Sequence, residues 1–178
     1  AGCAAAIIDL DPQASAAGWN DTRAQETPAV VSAQAARLPQ VLETAESYGT
    51  KLAIIDTAPH SEHDALVAAR ASDYVLIPCR PAILDLKAIG ISVDLVRLAQ
   101  KSAAVVLNAV PPRGSLAAEA GDVVRSYEIA LAPTSLGHRA AYMHALTAGL
   151  TAEEYEPRGK AAHEVHELYT WLCKQIHM

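Results

Sequence analysis

Two short stretches constrain this chain more than anything else in it. Ala5-Ala6-Ile7-Ile8-Asp9-Leu10-Asp11-Pro12 is a run of small and branched apolar residues that ends in two carboxylates one residue apart, then a proline. Lys51-Leu52-Ala53-Ile54-Ile55-Asp56-Thr57-Ala58-Pro59 repeats the design about 45 residues on. A continuous apolar run suits a strand buried on both faces, as in a parallel sheet, better than a strand with one wet face. The proline that follows cannot continue a ladder of hydrogen bonds. Ligands of open α/β sheets gather outside the carboxyl ends of the strands, and Asp9, Asp11 and Asp56 stand there. Acids delivered by two strands to one sheet edge suggest a site for a hard cation or a phosphate.

The remaining pattern alternates between strand and helix. After a short Ala-rich helical stretch (14–24) and a brief strand (27–31), Gln34–Ser47 has helical spacing in Ala35, Leu38, Leu42 and Ala45, with Pro39 inside it and Gly49 at its end. Ser61 and Asp64 resemble a capping box opening a helix over 62–72. Strands are predicted at 74–78, closed by Pro78, at 103–108, ending in Asn108, and weakly at 128–131. Helices are predicted at 84–102, 116–127 and 137–148. The last helix is predicted from about Pro157 to Ile176, with Ala161, Val165, Leu168, Leu172 and Ile176 as its packing face. Such alternation predicts an α/β, doubly wound, mainly parallel sheet flanked by helices.

The 178 residues suffice for a single domain with its own core. Half the chain is apolar, drawn from Ala, Val, Leu and Ile with no Phe, which favours helices on a parallel sheet over an aromatic-rich sandwich. A net charge of −6 argues against a general attraction to nucleic acid or acidic membranes. Cys3, Cys79 and Cys173 form no paired framework, which fits a reducing, cytoplasmic setting. No apolar run approaches the ~20 residues of a membrane span.

Taken together, these residues resemble the ParA/MinD family of deviant Walker-motif ATPases, most of all the small plasmid-partition ParA proteins. AAAIIDLDPQASAAGW is similar to the family's second strand and switch I. LAIIDTAPHSEHDALVAARASDYVLIPCRPAILDLKAI is similar to its Walker B strand, switch II and the next strand. VVLNAVPPRG resembles the strand whose terminal Asn meets adenine, and LGHRAAYMHALTAGLTAEEYEPRGKAAHEVHELYTWL the closing helices. The resemblance implies a P-loop NTPase fold of the SIMIBI kind, with ATP and Mg²⁺ as ligands. It implies a homodimer, a ParB-like or other centromere-binding partner, and non-specific DNA binding through Arg113, Arg125, Arg139, Arg158 and Lys160.

Site roles follow from the same resemblance. Asp11 would position the attacking water, Asp56 would hold Mg²⁺ through water, and Asp9 would support that metal site. Asn108 and Pro133 would contact the nucleotide. Each residue also has a plainer use. Asp11 could cap the helix after Pro12, and Asp56 and Asn108 could be turn residues at strand ends. His60 and His63 have the spacing of metal ligands but no evident third partner. Cys79 reads as packed and His163 and His166 as a solvated helix face.

The family's opening strand, KGGxGKT loop and first helix have no counterpart in these residues. Gly159-Lys160 follows Arg158, lacks the adjoining Ser or Thr, and reads as a turn before the last helix. Gly2 resembles the end of that first helix, so the chain is expected to be an N-terminally incomplete ParA-like domain. The family's first strand lies between the Walker B strand and its neighbour, and its loss would open the sheet's centre or force two strands to meet. Two functions stay open on this reading: a partition ATPase inactive in these residues alone, and a non-catalytic interaction protein that keeps the fold. A phosphoacceptor receiver domain fits the acids, but not the length or the later strand ends.

Overall fold

The computed structural model describes residues 3–59 and 61–178, so the expectations for Gly2 and His60 lie outside the described residues. Two compact units emerge, one of residues up to Ser72 with Thr147–Gly149, the other of Asp73–Leu146 with Leu150–Met178. Each contains a three-stranded sheet, and every strand pairing is parallel, as the alternation of elements required.

In the first unit β1 (Ala5–Asp9) is central, between β2 (Ala29–Ser32) and β3 (Leu52–Asp56). β1 and β3 run in register from Ala5 opposite Leu52 to Asp9 opposite Asp56, so the two acid-tipped strands end together. Helices α1 (Ser15–Asp21), α2 (Leu38–Ser47) and α3 (Glu62–Ala71) complete the unit. Ile8, Leu10, Ala35, Leu38 and Ala68 form its core. Ile8 and Leu38 are fully buried, and each contributes about 1.5–3 kcal/mol by leaving water.

Pro39 does not interrupt the helix predicted across 34–47. A 3₁₀ turn (Ala35–Arg37) leads in, and Pro39 occupies the first turn of α2, where its missing N–H has no partner to lose. Ser61 precedes α3, but its hydroxyl donates to Asp64 Oδ2 at 2.7 Å and caps no backbone N–H, so the predicted capping box is not formed.

In the second unit β5 (Ser102–Leu107) is central, between β4 (Tyr74–Cys79) and β6 (Ala130–Leu131). Pro78 does not close β4. It pairs opposite Val106 within an edge strand, where an absent N–H costs no ladder bond. β3 and β4 are edge strands of different ladders. Helices α4 (Ile83–Ala99) and α5 (Leu116–Ser126) cover the core of Ile77, Leu86, Ile89, Val93, Val105 and Val124.

α6 (Ala140–Thr147), the short α7 (Ala152–Tyr155) and α8 (Lys160–Gln175) follow. α7 is absent from the sequence reading, although Thr151 and Glu154 form a full capping box in front of it. α8 begins after Gly159 and not at Pro157. Its packing face also differs from the predicted one, because Val165 is 40 % exposed. Ala161 and Ala162 are buried, Leu168 and Leu172 are half-buried, and Glu164 is drawn into a polar cluster described below. Trp171 anchors the C-terminal half edge-on against Tyr74, with ring centres 6.0 Å apart.

Candidate functional site

The site is built where β1 and β3 end. Asp9 is the one buried charged residue among those described, at 1 % exposure. Its burial is offset by three backbone donors. Asp11 N–H donates to Oδ1 at 3.0 Å, and Ala16 and Ala17 N–H donate to Oδ2 at 3.1 and 3.2 Å. The last two are free N–H groups of the first turn of α1, so Asp9 caps that helix from the strand. This role is invisible in sequence, where Asp11 is the candidate cap. A carboxylate seven residues ahead of a helix signals nothing until the loop folds back.

Asp11 makes a tighter local turn. Its Oδ1 accepts from Gln13 N–H at 2.8 Å and its carbonyl from Ala14 N–H at 2.8 Å. The chain then passes through Ala14 in the left-handed region, φ 52° and ψ 42°, and enters α1. This conformation suits glycine and costs an alanine about 1 kcal/mol. The loop is therefore held by Asp9, and Asp11 is left half-exposed on its turn.

Asp56 lies at the tip of β3, exposed, with its carbonyl accepting from Leu10 N–H at 2.8 Å. Partial burial pushes its carboxyl up, and repulsion from Asp9 and then Asp11 adds to the rise, against a backbone hydrogen bond from Thr57. Three acids thus share one edge of one sheet. A cation placed there would relieve this repulsion.

No group of three or more Asp, Glu, His or Cys side chains among the described residues forms a metal cage. Magnesium fits such a sparse set, since it keeps several waters and uses one or two carboxylates with substrate phosphate. His163, on α8, instead pairs with Glu167 at 3.2 Å.

Asn108 and Pro133 belong to the second unit, in the loops after β5 and β6 at the carboxyl edge of that sheet. Asn108 is exposed, and its side-chain carbonyl accepts from Ala109 N–H at 2.8 Å. Pro133 is exposed as well. Cys79 is buried, and burial followed by the nearby Asp85 pushes its thiol up, which fits packing over reactivity.

Of the cations named from sequence, Arg125 pairs with Asp122 at 2.5 Å, and Arg139 is bound by Glu164. Glu164 also accepts from Gly137 N–H at 3.1 Å and from the Tyr142 hydroxyl at 3.1 Å. Burial alone would raise the Glu164 carboxyl, but the bonds from Arg139, Gly137 and Tyr142 prevail and hold it below its ordinary range. Arg139 thus ties α6 to α8 instead of standing free on the surface. Lys160 opens α8 just after Gly159, which confirms the Gly159-Lys160 pair as a helix entry.

The parallel sheets and flanking helices match the fold of solved proteins of the ParA/MinD type. The MinD protein of Pyrococcus horikoshii in complex with Mg-ADP superposes with a TM-score of 0.76 at 15 % identity, over 97 % of this chain and 84 % of that one. A ParA-family ATPase of Chlorobium tepidum superposes with a TM-score of 0.65 at 14 % identity, over 97 % of this chain and 86 % of that one. In sequence, the chain is similar to the maintenance of carboxysome distribution protein A of Halothiobacillus neapolitanus, 26 % identical over 172 residues, covering 91 % of this chain and 79 % of that protein. No protein-family model matches. The resemblance to the ParA/MinD family read from the motifs therefore holds, and with it the expected fold. Among the described residues no helix is long and apolar enough to cross a membrane.

Proposed function

We propose that this chain is a partition-type positioning ATPase subunit, which uses nucleotide-controlled dimerisation to distribute a large cargo such as a replicon or an organelle. The observation that carries this reading is the gathering of Asp9, Asp11 and Asp56 at the carboxyl edge of one parallel sheet. In it, Asp11 orients the water that attacks the γ-phosphate. Asp56 would hold Mg²⁺, which would supply charge neutralisation at the phosphates. Asp9 fixes the loop that carries Asp11 and supports the metal site from behind. Asn108 and Pro133 take the nucleotide's base in the same reading. A ParB-like partner and non-specific DNA complete it, with Arg113, Arg158 and Lys160 as DNA contacts.

Residues 1–178 include the acids but no K-G-G-x-G-K-T run. Positioning and charge neutralisation supply most of the catalysis in phosphoryl transfer, so these residues alone bind ATP weakly and do not turn it over. Joining a P-loop strand, loop and helix ahead of Ala1 restores slow hydrolysis. In that longer protein Asp11→Ala abolishes turnover yet leaves ATP-induced dimerisation intact. Titration with MgATP by calorimetry and release of labelled phosphate test all three proteins. Equal hydrolysis with and without the added segment overturns the reading, as does normal turnover by the Asp11→Ala variant.

The second reading is a non-catalytic interaction protein that keeps the fold without nucleotide turnover. Failure of the lengthened protein to bind MgATP would select it.

A further inference from the structure

Asn108 and Pro133 lie on two stretches of the second unit that run side by side past the end of the short strand β6. Leu136 N–H donates to the Leu107 carbonyl at 2.8 Å, Val110 N–H to the Leu136 carbonyl at 3.0 Å, and His138 N–H to the Val110 carbonyl at 2.8 Å. Val110 and Gly137 form a parallel bridge. Asn108 sits between these rungs, and its own N–H turns the other way, to the Cys79 carbonyl at 2.8 Å. Ala109 follows in the left-handed region at φ 51°, a conformation disfavoured for alanine, and its N–H donates to Asn108 Oδ1 at 2.8 Å. That turn fixes which way the Asn108 amide points and leaves its NH₂ group free to donate.

β6 is an edge strand, so no further strand supports the outer side of residues 132–138. Glu164 of α8 supplies that support. Its carboxylate accepts from Gly137 N–H at 3.1 Å, at the residue that bridges to Val110. Arg139 Nε, at 2.9 and 3.0 Å from its two oxygens, and the Tyr142 hydroxyl at 3.1 Å hold the carboxylate in place. The Glu164 side chain is only 15 % exposed, so water competes little for these bonds. Glu167 brings Oε2 to 3.5 Å from the Thr134 hydroxyl, beside Pro133, too long to hold the stretch alone. An ion pair between α6 and α8 needs only Arg139 and Glu164; the bond to Gly137 N–H is the part that reaches the loop.

We infer that Glu164 is a positioning residue for the nucleotide base: by holding Gly137 it sets the place of the 132–138 stretch beside Asn108, although it touches no ligand itself. The inference rests on the reading that Asn108 and Pro133 take the base. An asparagine amide meets adenine at its amino group and N7 together, so a small displacement of the two stretches weakens both bonds. A purine with a carbonyl in place of the amino group sets an acceptor against Asn108 Oδ1 and is disfavoured. Loosening the loop therefore weakens adenine and blurs its distinction from such a purine.

Titration of the whole chain with adenosine and with inosine, followed by the amide NMR signals of Ala109 and Leu136, tests it, with circular dichroism as the check on folding. These nucleosides carry no phosphate, so neither the three acids nor a phosphate loop enters the measurement. The chain binds adenosine in the millimolar range and about fivefold more tightly than inosine. Glu164→Ala weakens adenosine by about fivefold and brings the two nucleosides to within about twofold of each other. The conservative Glu164→Gln, whose side-chain carbonyl still accepts from Gly137 N–H, recovers most of the affinity and the preference. Leu168→Ala, which removes a half-buried side chain from the same helix, keeps the preference and so separates positioning from a general loss of stability. If Glu164→Ala fails to fold, Arg139→Gln, which loosens the carboxylate, shifts both readouts the same way by about twofold to threefold. An unchanged adenosine preference in Glu164→Ala, or an equal loss in Leu168→Ala, overturns the inference and leaves the base site standing. A chain that binds no adenosine up to about 20 mM overturns the base site and the inference together.

Discussion

Replacing Asp9 with alanine removes the acceptor for the N–H groups of Asp11, Ala16 and Ala17 at one stroke. A hydrogen bond to a charged acceptor is worth about 1.5–3 kcal/mol, and a buried donor left unpaired costs a further penalty. Full loss of three such bonds would exceed about 5 kcal/mol by this measure, roughly the whole stability of a marginal domain. The structure lowers that figure. Ala16 and Ala17 are only half-buried and no residue of α1 is buried, so water replaces two of the three acceptors. A net loss of about 2–4 kcal/mol follows.

Asp11→Ala provides the contrast. It breaks a single exposed turn bond to Gln13 and should cost less than about 1 kcal/mol. Urea unfolding followed by far-ultraviolet circular dichroism, with Trp19 in α1 reporting the local change by fluorescence, measures both variants. A loss below about 0.5 kcal/mol for Asp9→Ala, or one no larger than for Asp11→Ala, would refute the assignment of Asp9 as the residue that holds the loop.

Three further outcomes can be checked on the same footing. Asp56 has its carboxyl raised, so between the ordinary value of 3.8 and the raised one the folded state holds more proton than the unfolded, and stability falls as pH rises through that window. Asp56→Asn should therefore stabilise the protein at pH 7, by no more than about 1 kcal/mol at this exposed site, seen as a higher melting temperature, with the gain vanishing below the ordinary carboxylate range. Glu164 has the opposite sign. Its stabilisation is present above the ordinary value of 4.5 and lost as pH falls through the lowered one, so Glu164→Gln should cost about 1–3 kcal/mol at pH 7 and little in acid, as pH-dependent melting curves would show. Ala14→Gly should stabilise the protein by up to about 1 kcal/mol in urea unfolding, because it relieves a left-handed alanine, and a destabilised variant would contradict the described loop.

Features that depend on the chain's own periodicity are legible in the sequence. The continuous apolar runs ending at Asp9 and Asp56 point to parallel strands, and their common proline stop points to the shared edge that the register of β1 and β3 displays. Features decided by the neighbour an element meets are not legible. Val165 has helical spacing with Leu168 and Leu172, yet Glu164 turns inward because Arg139, Tyr142 and Gly137 N–H wait for it on another segment. Pro78 looks like a terminator, but at a sheet edge nothing requires its N–H. Asp9 reads as an outer member of the acid group. Its capping of α1 depends on a loop closure that no residue spacing announces.

The short return of residues 147–149 to the first unit has a consequence for synthesis on the ribosome. Gly149 sits at φ +66° against Thr22, where a Cβ would come within 2.5 Å of the Thr22 carbonyl oxygen, and its own carbonyl accepts from Arg23 Nη1 at 3.0 Å. That bond joins residues 126 positions apart. When Ser72 leaves the exit tunnel, every strand and helix of the first unit has been made, but its closing piece, Thr147–Gly149, lies more than seventy residues further along the chain. At the usual pace of about 5–20 residues per second, the nascent unit waits several seconds for it. The amino-terminal unit is thus begun first and finished late, and a nascent chain halted just after Ser72 lacks the seat that Gly149 gives to Thr22 and Arg23.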